Sequence, residues 1–283
     1  VLRPSNRRIR IGVGVLLALL FCVQCTRSSA DRPATSSVAV VAGQQIGTTD
    51  NDQLKQIEQL ARTDHLALLR MCQENYDRKY SDYTCTFVKQ ERLKGELGDE
   101  QWIDVHFLGS PFSVAMQWTK NAPIADRLLY IEGRWNGQML VKPKGFLGSV
   151  VGTVTRQPDG ADAMKNTLRP VSLFGFRRAL DSLVEVYEQA EKADDLKTEF
   201  GGYADIFGRR TVALVRYLPA KDDYPAWKTV TYIDLDYLVP VGLEGYNWDE
   251  ELSSRYFYKD VCFNVGLGDA DFAPEKYGMS SPN

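Results

Sequence analysis

From Tyr83 to Trp118 apolar and polar side chains alternate with a period of two. Tyr83, Cys85 and Phe87 fall on one side and Thr84, Thr86 and Gln90 on the other, as in a half-buried strand running to Leu93. Ile103, Val105 and Phe107 alternate with Asp104 and His106. After the turn residues Gly109, Ser110 and Pro111, the residues Phe112, Val114, Met116 and Trp118 alternate with Ser113, Ala115 and Gln117. Shorter strands are predicted over Arg127–Glu132 and Gly137–Lys142. Together these segments describe an antiparallel meander. Four more alternating runs follow later, over Arg209–Leu218, Trp227–Asp234, Pro240–Trp248 and Ser254–Asn264.

Two stretches change the period. Leu54, Ile57, Ala61, His65, Leu68 and Cys72 recur at three- and four-residue spacing, the apolar stripe of a helix. Its place on that stripe reads His65 as a core histidine bonded to a neighbour. A second helix is predicted over Ser172–Ala190, with Ser172 as N-cap and Leu173, Phe176, Leu180, Leu183 or Val184, and Tyr187 facing inward. Between the strand sets, Lys144–Thr155 mixes glycines with Phe146, Leu147, Val150 and Val151. It reads as a bent edge strand, or alternatively as an apolar lid that touches a ligand or membrane. Ala161–Asn166 reads as a short helical turn. The chain from Gly266 onward reads as coil.

The N-terminus carries four arginines, an apolar run from Ile11 to Val23 and small residues up to Ala30, the order of a cleaved export signal over residues 1–30. The run is shorter than the ~20 residues that a membrane-spanning helix needs. Phe21 and Gln24 precede Cys22 and Cys25, so lipidation is not expected. Residues 31–52 read as a flexible linker, 53–277 as one domain and 278–283 as a tail. The localisation expected is periplasmic or otherwise at the cell envelope.

Loss of residues 1–30 removes five arginines and no acid, taking the net charge from -3 to -8. That balance argues against a nucleic-acid partner. Residues 134–178 run the other way, with eight bases against two acids, which suits an anionic amphiphile or an anionic membrane surface, or else a solvated face. No zinc spacing, nucleophile elbow or phosphate loop occurs, so neither enzyme chemistry nor a cofactor or metal is expected. A carboxylate pair defined only in space, as in a hydrolase, leaves no such mark. Cys72, Cys85 and Cys262 remain after cleavage. A bridge between Cys85 and Cys262 or between Cys72 and Cys85 is expected in an oxidising compartment.

The run Tyr83-Thr84-Cys85-Thr86-Phe87-Val88-Lys89-Gln90-Glu91-Arg92-Leu93, the segment Gly175-Phe176-Arg177-Arg178-Ala179-Leu180, and Tyr232-Ile233-Asp234 through Pro240-Val241-Gly242 resemble the exported bacterial family called domain of unknown function 1571. The last run also resembles the strand-turn-strand of LolA, LolB and LppX-like lipoprotein and lipid carriers. The resemblance implies a mainly β (α+β) fold, a curved antiparallel half-barrel whose concave face is covered by helices, with a cavity for acyl chains and the second helix as a plug. The expected ligand is hydrophobic or amphiphilic. Candidate contacts are Val114, Met116 and Trp118 on one strand face and Phe176, Leu180 and Leu183 on one helix face, with Arg177 and Arg178 beside them for an anionic ligand. The alternatives are a scaffold whose concavity is filled by its own side chains, and a hydrolase. The sequence carries no signal of oligomeric state.

Overall fold

The computed structural model describes residues 48–282, so the expected export signal and residues 31–47 of the expected linker lie outside the described residues. Helix α1 (Thr48–Thr63) takes up residues expected to be linker, and α2 (His65–Lys79) follows after one residue. The single long helix predicted here is therefore two. Asp64 leaves helical geometry, and its carboxylate accepts the Ala67 N–H at 2.8 Å as the N-cap of α2. Only one residue intervenes, so Ile57, Ala61, His65, Leu68 and Cys72 still share one buried face.

Twelve strands form one antiparallel sheet. The first set is β1 (Asp82–Leu93), β2 (Glu96–Leu97), β3 (Gln101–Leu108), β4 (Ser113–Lys120), β5 (Ala125–Ile131), β6 (Met139–Pro143) and β7 (Val154–Arg156). The second set is β8 (Lys197–Ile206), β9 (Arg209–Tyr217), β10 (Lys228–Asp234), β11 (Pro240–Tyr246) and β12 (Leu252–Phe263). The order is β7-β6-β5-β4-β3-β1-β12-β11-β10-β9-β8, with β2 paired to β1 alone. The two meanders thus meet where β1 pairs with β12, and β7 and β8 are unpaired edges. The result is the expected open half-barrel.

Between the two sets run α3 (Gly145–Val151), α4 (Ala161–Met164) and α5 (Phe176–Lys192). The bent strand expected over 144–155 is instead helix α3 followed by the edge strand β7. Phe146 and Val150 stand four residues apart, a helical spacing that the glycines masked. Ser172 is not the cap of α5, because Val171–Leu173 is a separate 3-10 turn and Gly175 holds the N-cap. Gly175 has φ of 104°, and a Cβ there would lie 2.7 Å from the Phe107 ring, so glycine lets the helix begin close against the sheet.

Helices α1, α2 and α5 cover the concave face, where Tyr83, Phe107, Val114, Phe176, Leu180 and Ile233 belong to one core. A smaller core lies on the convex face, where Phe272, Tyr277 and Met279 pack on Ala115, Leu129 and Leu140. The segment after Gly266 is consequently two 3-10 turns, over Asp269–Phe272 and Pro274–Tyr277, and not plain coil.

Strand β8 was not visible as an alternating run. Gly201 and Gly202 interrupt it, and its pairing with β9 shifts register between Phe200 and Tyr203.

Candidate functional site

The helices leave part of the concave face uncovered, and the segment from Lys144 to Gly175 closes over it. Between that segment and the sheet is a cavity of about 310 Å3, at the lower end of the range of roughly 300–1,000 Å3 for small-molecule sites. Its walls are the inward faces of neighbouring strands: Ile103 on β3, Met116 and Trp118 on β4, Leu128 on β5 and Val141 on β6. Leu183 of α5 and Val171 and Phe174 of the covering segment close the other side. Leu128, Val141 and Trp118 are only half-buried, although they point to the same side as the core.

Three of the expected ligand contacts, Met116, Trp118 and Leu183, line this cavity. Val114, Phe176 and Leu180 do not, since each is 0% exposed within the core. Phe176 sits among aromatic rings, with centroids 4.3 Å from Tyr258 and 4.9 Å from Tyr83. Its ring is a core contact between α5 and the sheet. Arg177 and Arg178 also lie off the cavity lining. Arg177 bonds Asp77 at 2.7 Å and also pairs with Asp181, so it ties α5 to α2. Arg178 donates to Glu132 at 3.1 Å and to the Ser172 carbonyl, and its guanidinium lies 3.6 Å over the Phe112 ring. Both arginines hold the helix in place.

The cavity contains a charged pair that was not among the expected contacts. Lys89 and Glu91 are 8% and 4% exposed and lie two residues apart on β1, on the face that Tyr83, Cys85 and Phe87 begin. Lys89 Nζ lies 3.1 Å from Glu91 Oε2 and donates to Thr167 Oγ1 at 3.1 Å. The Tyr256 hydroxyl donates to Glu91 Oε1 at 2.7 Å. Burial, and then the Glu91 charge, push the Tyr256 pKa far up, so it stays a donor. Thr167 belongs to the covering segment, and the network therefore pins that segment to the sheet. A further bond, Trp118 Nε1 to Gln101 Oε1 at 2.8 Å, satisfies the indole at the wall.

The two acids that line the cavity are both held by lysines, Glu91 by Lys89 and Asp162 by Lys165 at 2.7 Å. Among the described residues no group of three or more histidine, cysteine or acidic side chains is placed to hold a metal ion. His65 is the core histidine expected of it: Nε2 donates to the Ala61 carbonyl at 2.8 Å.

The thiols differ from expectation. Cys72, Cys85 and Cys262 are all unbridged, the first two buried and the third exposed. Cys262 pairs in register with Thr84 and so shares the convex face, whereas Cys85, one residue on, points into the core with Tyr83. Neighbouring strands have brought the two together in sequence register but on opposite faces, which disfavours the bridge.

No curated protein matches the chain. Solved structures of similar shape include MucB (12% identity, covering 80% of this chain and 63% of that one, TM-score 0.41). The MucA/MucB complex of Pseudomonas aeruginosa matches at 15% identity over 75% of this chain and 61% of that one, with TM-score 0.43. The lipoprotein LppX of Mycobacterium tuberculosis matches at 12% identity over 72% of this chain and 96% of that one, with TM-score 0.41. The chain thus spans less than two thirds of the first two, and at these values the likeness is of overall shape alone. The family described as protein of unknown function (DUF1571) matches over residues 80–279, and the chain belongs to that family.

Proposed function

We propose that this is an exported, non-catalytic protein of the cell envelope that binds a hydrophobic or amphiphilic ligand, the acyl chain of a lipid or lipoprotein, in the concave cavity. The observation that carries this reading is the cavity: apolar side chains of four adjacent strands face about 310 Å3 of space that the covering segment roofs over without filling. Each methylene buried there contributes ~0.8 kcal/mol, so a few carbons of a chain suffice for measurable binding without any charged contact. The lysine-held acids support a binding role over a hydrolytic one.

Uptake from an anionic membrane surface fits the outer face of the same segment. Phe146, Val150 and Val151 of α3 are 83%, 67% and 54% exposed. They lie between the cavity-lining residues Pro143 and Val154, with the cations Lys144 and Arg156 on either side.

Binding of a fluorescent fatty acid to the mature protein, together with mass spectrometry of co-purified lipid, tests the reading. Wild type is expected to show saturable uptake, and Val141→Trp, which fills the cavity, is expected to lose it while still folding. Phe146→Asp with Val150→Asp should slow transfer from anionic vesicles and leave the affinity for dispersed fatty acid unchanged. Absence of saturable uptake by the wild type would replace this reading with that of a scaffold.

A further inference from the structure

Arg216 is the one arginine among the described residues that is buried, at 2% exposed. It ends the inward-facing stripe Val212, Leu214, Arg216 of β9, beneath α5, with its guanidinium 5.1 Å from the centre of the Tyr187 ring. The other buried charges are satisfied: Lys89 pairs with Glu91, Asp234 with Arg209 at 2.6 Å and Glu244 with Arg255 at 2.7 Å, and Asp82 accepts from the Ser81 hydroxyl and the Gly266 N–H. Arg216 has no carboxylate within ion-pairing distance. Its Nη2 donates to Thr229 Oγ1 at 3.0 Å, while Nε and Nη1 are buried with no protein partner. A buried guanidinium left this way is costly to keep, and a fold that needed only packing here would be better served by an apolar side chain.

Arg216 is among the residues that line a second cavity, of about 420 Å3. Its floor is a polar row across four strands, in which Arg216 pairs with Thr229, Thr229 with Gly245, and Gly245 with Ser254. Gly245 adds no side chain to that row. Arg169 of the covering segment lines this cavity too, and burial together with its like charge depresses the pKa of Arg216, against the effect of Tyr187. Glu185, Asp222 and Asp223 also line the cavity, but all three are exposed and none pairs with Arg216. Arg169, Ala179, Leu183 and Leu243 are walls of both this cavity and the apolar one. An amphiphile with its tail in the apolar cavity would therefore bring its head to the arginines.

We propose that Arg216, together with Arg169, recognises the anionic head group, a carboxylate or phosphate, of the amphiphile whose tail fills the adjoining cavity. This rests on the ligand-binding reading above. Nε and Nη1 carry free N–H groups, and the second hydrogen of Nη2 completes with one or the other of them an edge that takes an oxyanion bidentately, while the Thr229 hydroxyl stands beside it.

The test compares palmitate, hexadecanol and inorganic phosphate on wild type, Arg216→Met and Arg169→Gln. Wild type should bind palmitate roughly tenfold or more tightly than hexadecanol, the gain from charge-assisted hydrogen bonds in a desolvated site. Arg216→Met should bind the two alike, with hexadecanol affinity unchanged and a melting temperature no lower than wild type, because it removes an unpaired buried charge. Arg169 is exposed, so Arg169→Gln reports the same loss of preference even if the Arg216 variant fails to fold. Hexadecanol uptake without any preference for palmitate would overturn the head-group site alone. Uptake of neither would overturn the ligand-binding reading with it. Protection of wild type but not Arg216→Met by inorganic phosphate, without palmitate preference, would assign the site to a free anion and overturn the head-group proposal.

Discussion

Tyr187 of α5 places its hydroxyl 3.3 Å from Nδ1 of His65, the first residue of α2. Because His65 Nε2 must donate to the Ala61 carbonyl, Nδ1 is the acceptor, and the neutral imidazole is the form that both neighbours suit. Burial lowers the His65 pKa below its ordinary 6.5, and burial also lowers that of His106, against Asp271.

The sign of the pH effect follows. Below pH 6.5 the unfolded chain takes up protons that the folded protein refuses, so stability is full above that pH and falls as the pH drops through the folded values. Melting temperature measured from pH 7.5 down to 5 should decline, and His65→Gln should decline less steeply than wild type. A flat profile in the wild type would contradict the assignment.

Phe176→Ala should cost ~3–5 kcal/mol of stability, as truncation of a packed aromatic does. Its neighbours are Tyr258, Tyr83 and Phe263, and none of the space it vacates belongs to the cavity lining. Fatty-acid affinity measured well below the melting transition should be unchanged. Leu183→Ala, at the cavity wall, should change affinity. An affinity change in Phe176→Ala at full folding would restore the plug.

Period two and the helical stripe were enough to read which residues face inward, and hence an antiparallel meander with helices to cover it, while the half-barrel followed from the family resemblance. They could not read depth along an element. Val114, Met116 and Trp118 share one face of β4, yet Val114 is fully buried in the core and Trp118 opens on the cavity. The same limit placed Phe176 and Leu180 in the site beside Leu183. The two charged features did leave a signal. Lys89 and Glu91 continue the apolar face of Tyr83, Cys85 and Phe87, and Arg216 continues that of Val212 and Leu214. Charge on an apolar face marks a site more sharply than the count of bases in residues 134–178, of which Arg134, Lys165, Arg177 and Arg178 are matched by acids in the fold.

The thiols should react unequally. Cys262 is exposed, while burial pushes the Cys72 thiol up to about 12 and that of Cys85 further. A thiol reagent at neutral pH should modify one cysteine in the folded protein lacking residues 1–30 and three after denaturation. Peptide mapping under non-reducing conditions that found Cys85 joined to Cys262 would require β1 or β12 to turn over.

The Lys89–Glu91 pair should be worth less as a pair than either charge costs alone. With side chains 10% and 2% exposed, each ion has left water, and the compensation is their 3.1 Å contact, the bond that Lys89 donates to Thr167, and the bonds that Glu91 accepts from Thr167 at 3.3 Å and from Tyr256. Lys89→Met leaves Glu91 a buried carboxylate with only hydroxyl partners, and Glu91→Gln leaves the ammonium with only Thr167 and a neutral amide. Each single change should cost ~3–5 kcal/mol. Lys89→Met combined with Glu91→Met should cost much less than the sum, since no uncompensated charge remains. The double variant also removes two of the bonds to Thr167, so the covering segment should open more often. Hydrogen exchange of residues 157–170 should then rise in the double variant while the β1–β12 pairing stays protected. Strict additivity of the two single costs, with no change in exchange over that segment, would mean that the pair neither compensates itself nor holds the cover.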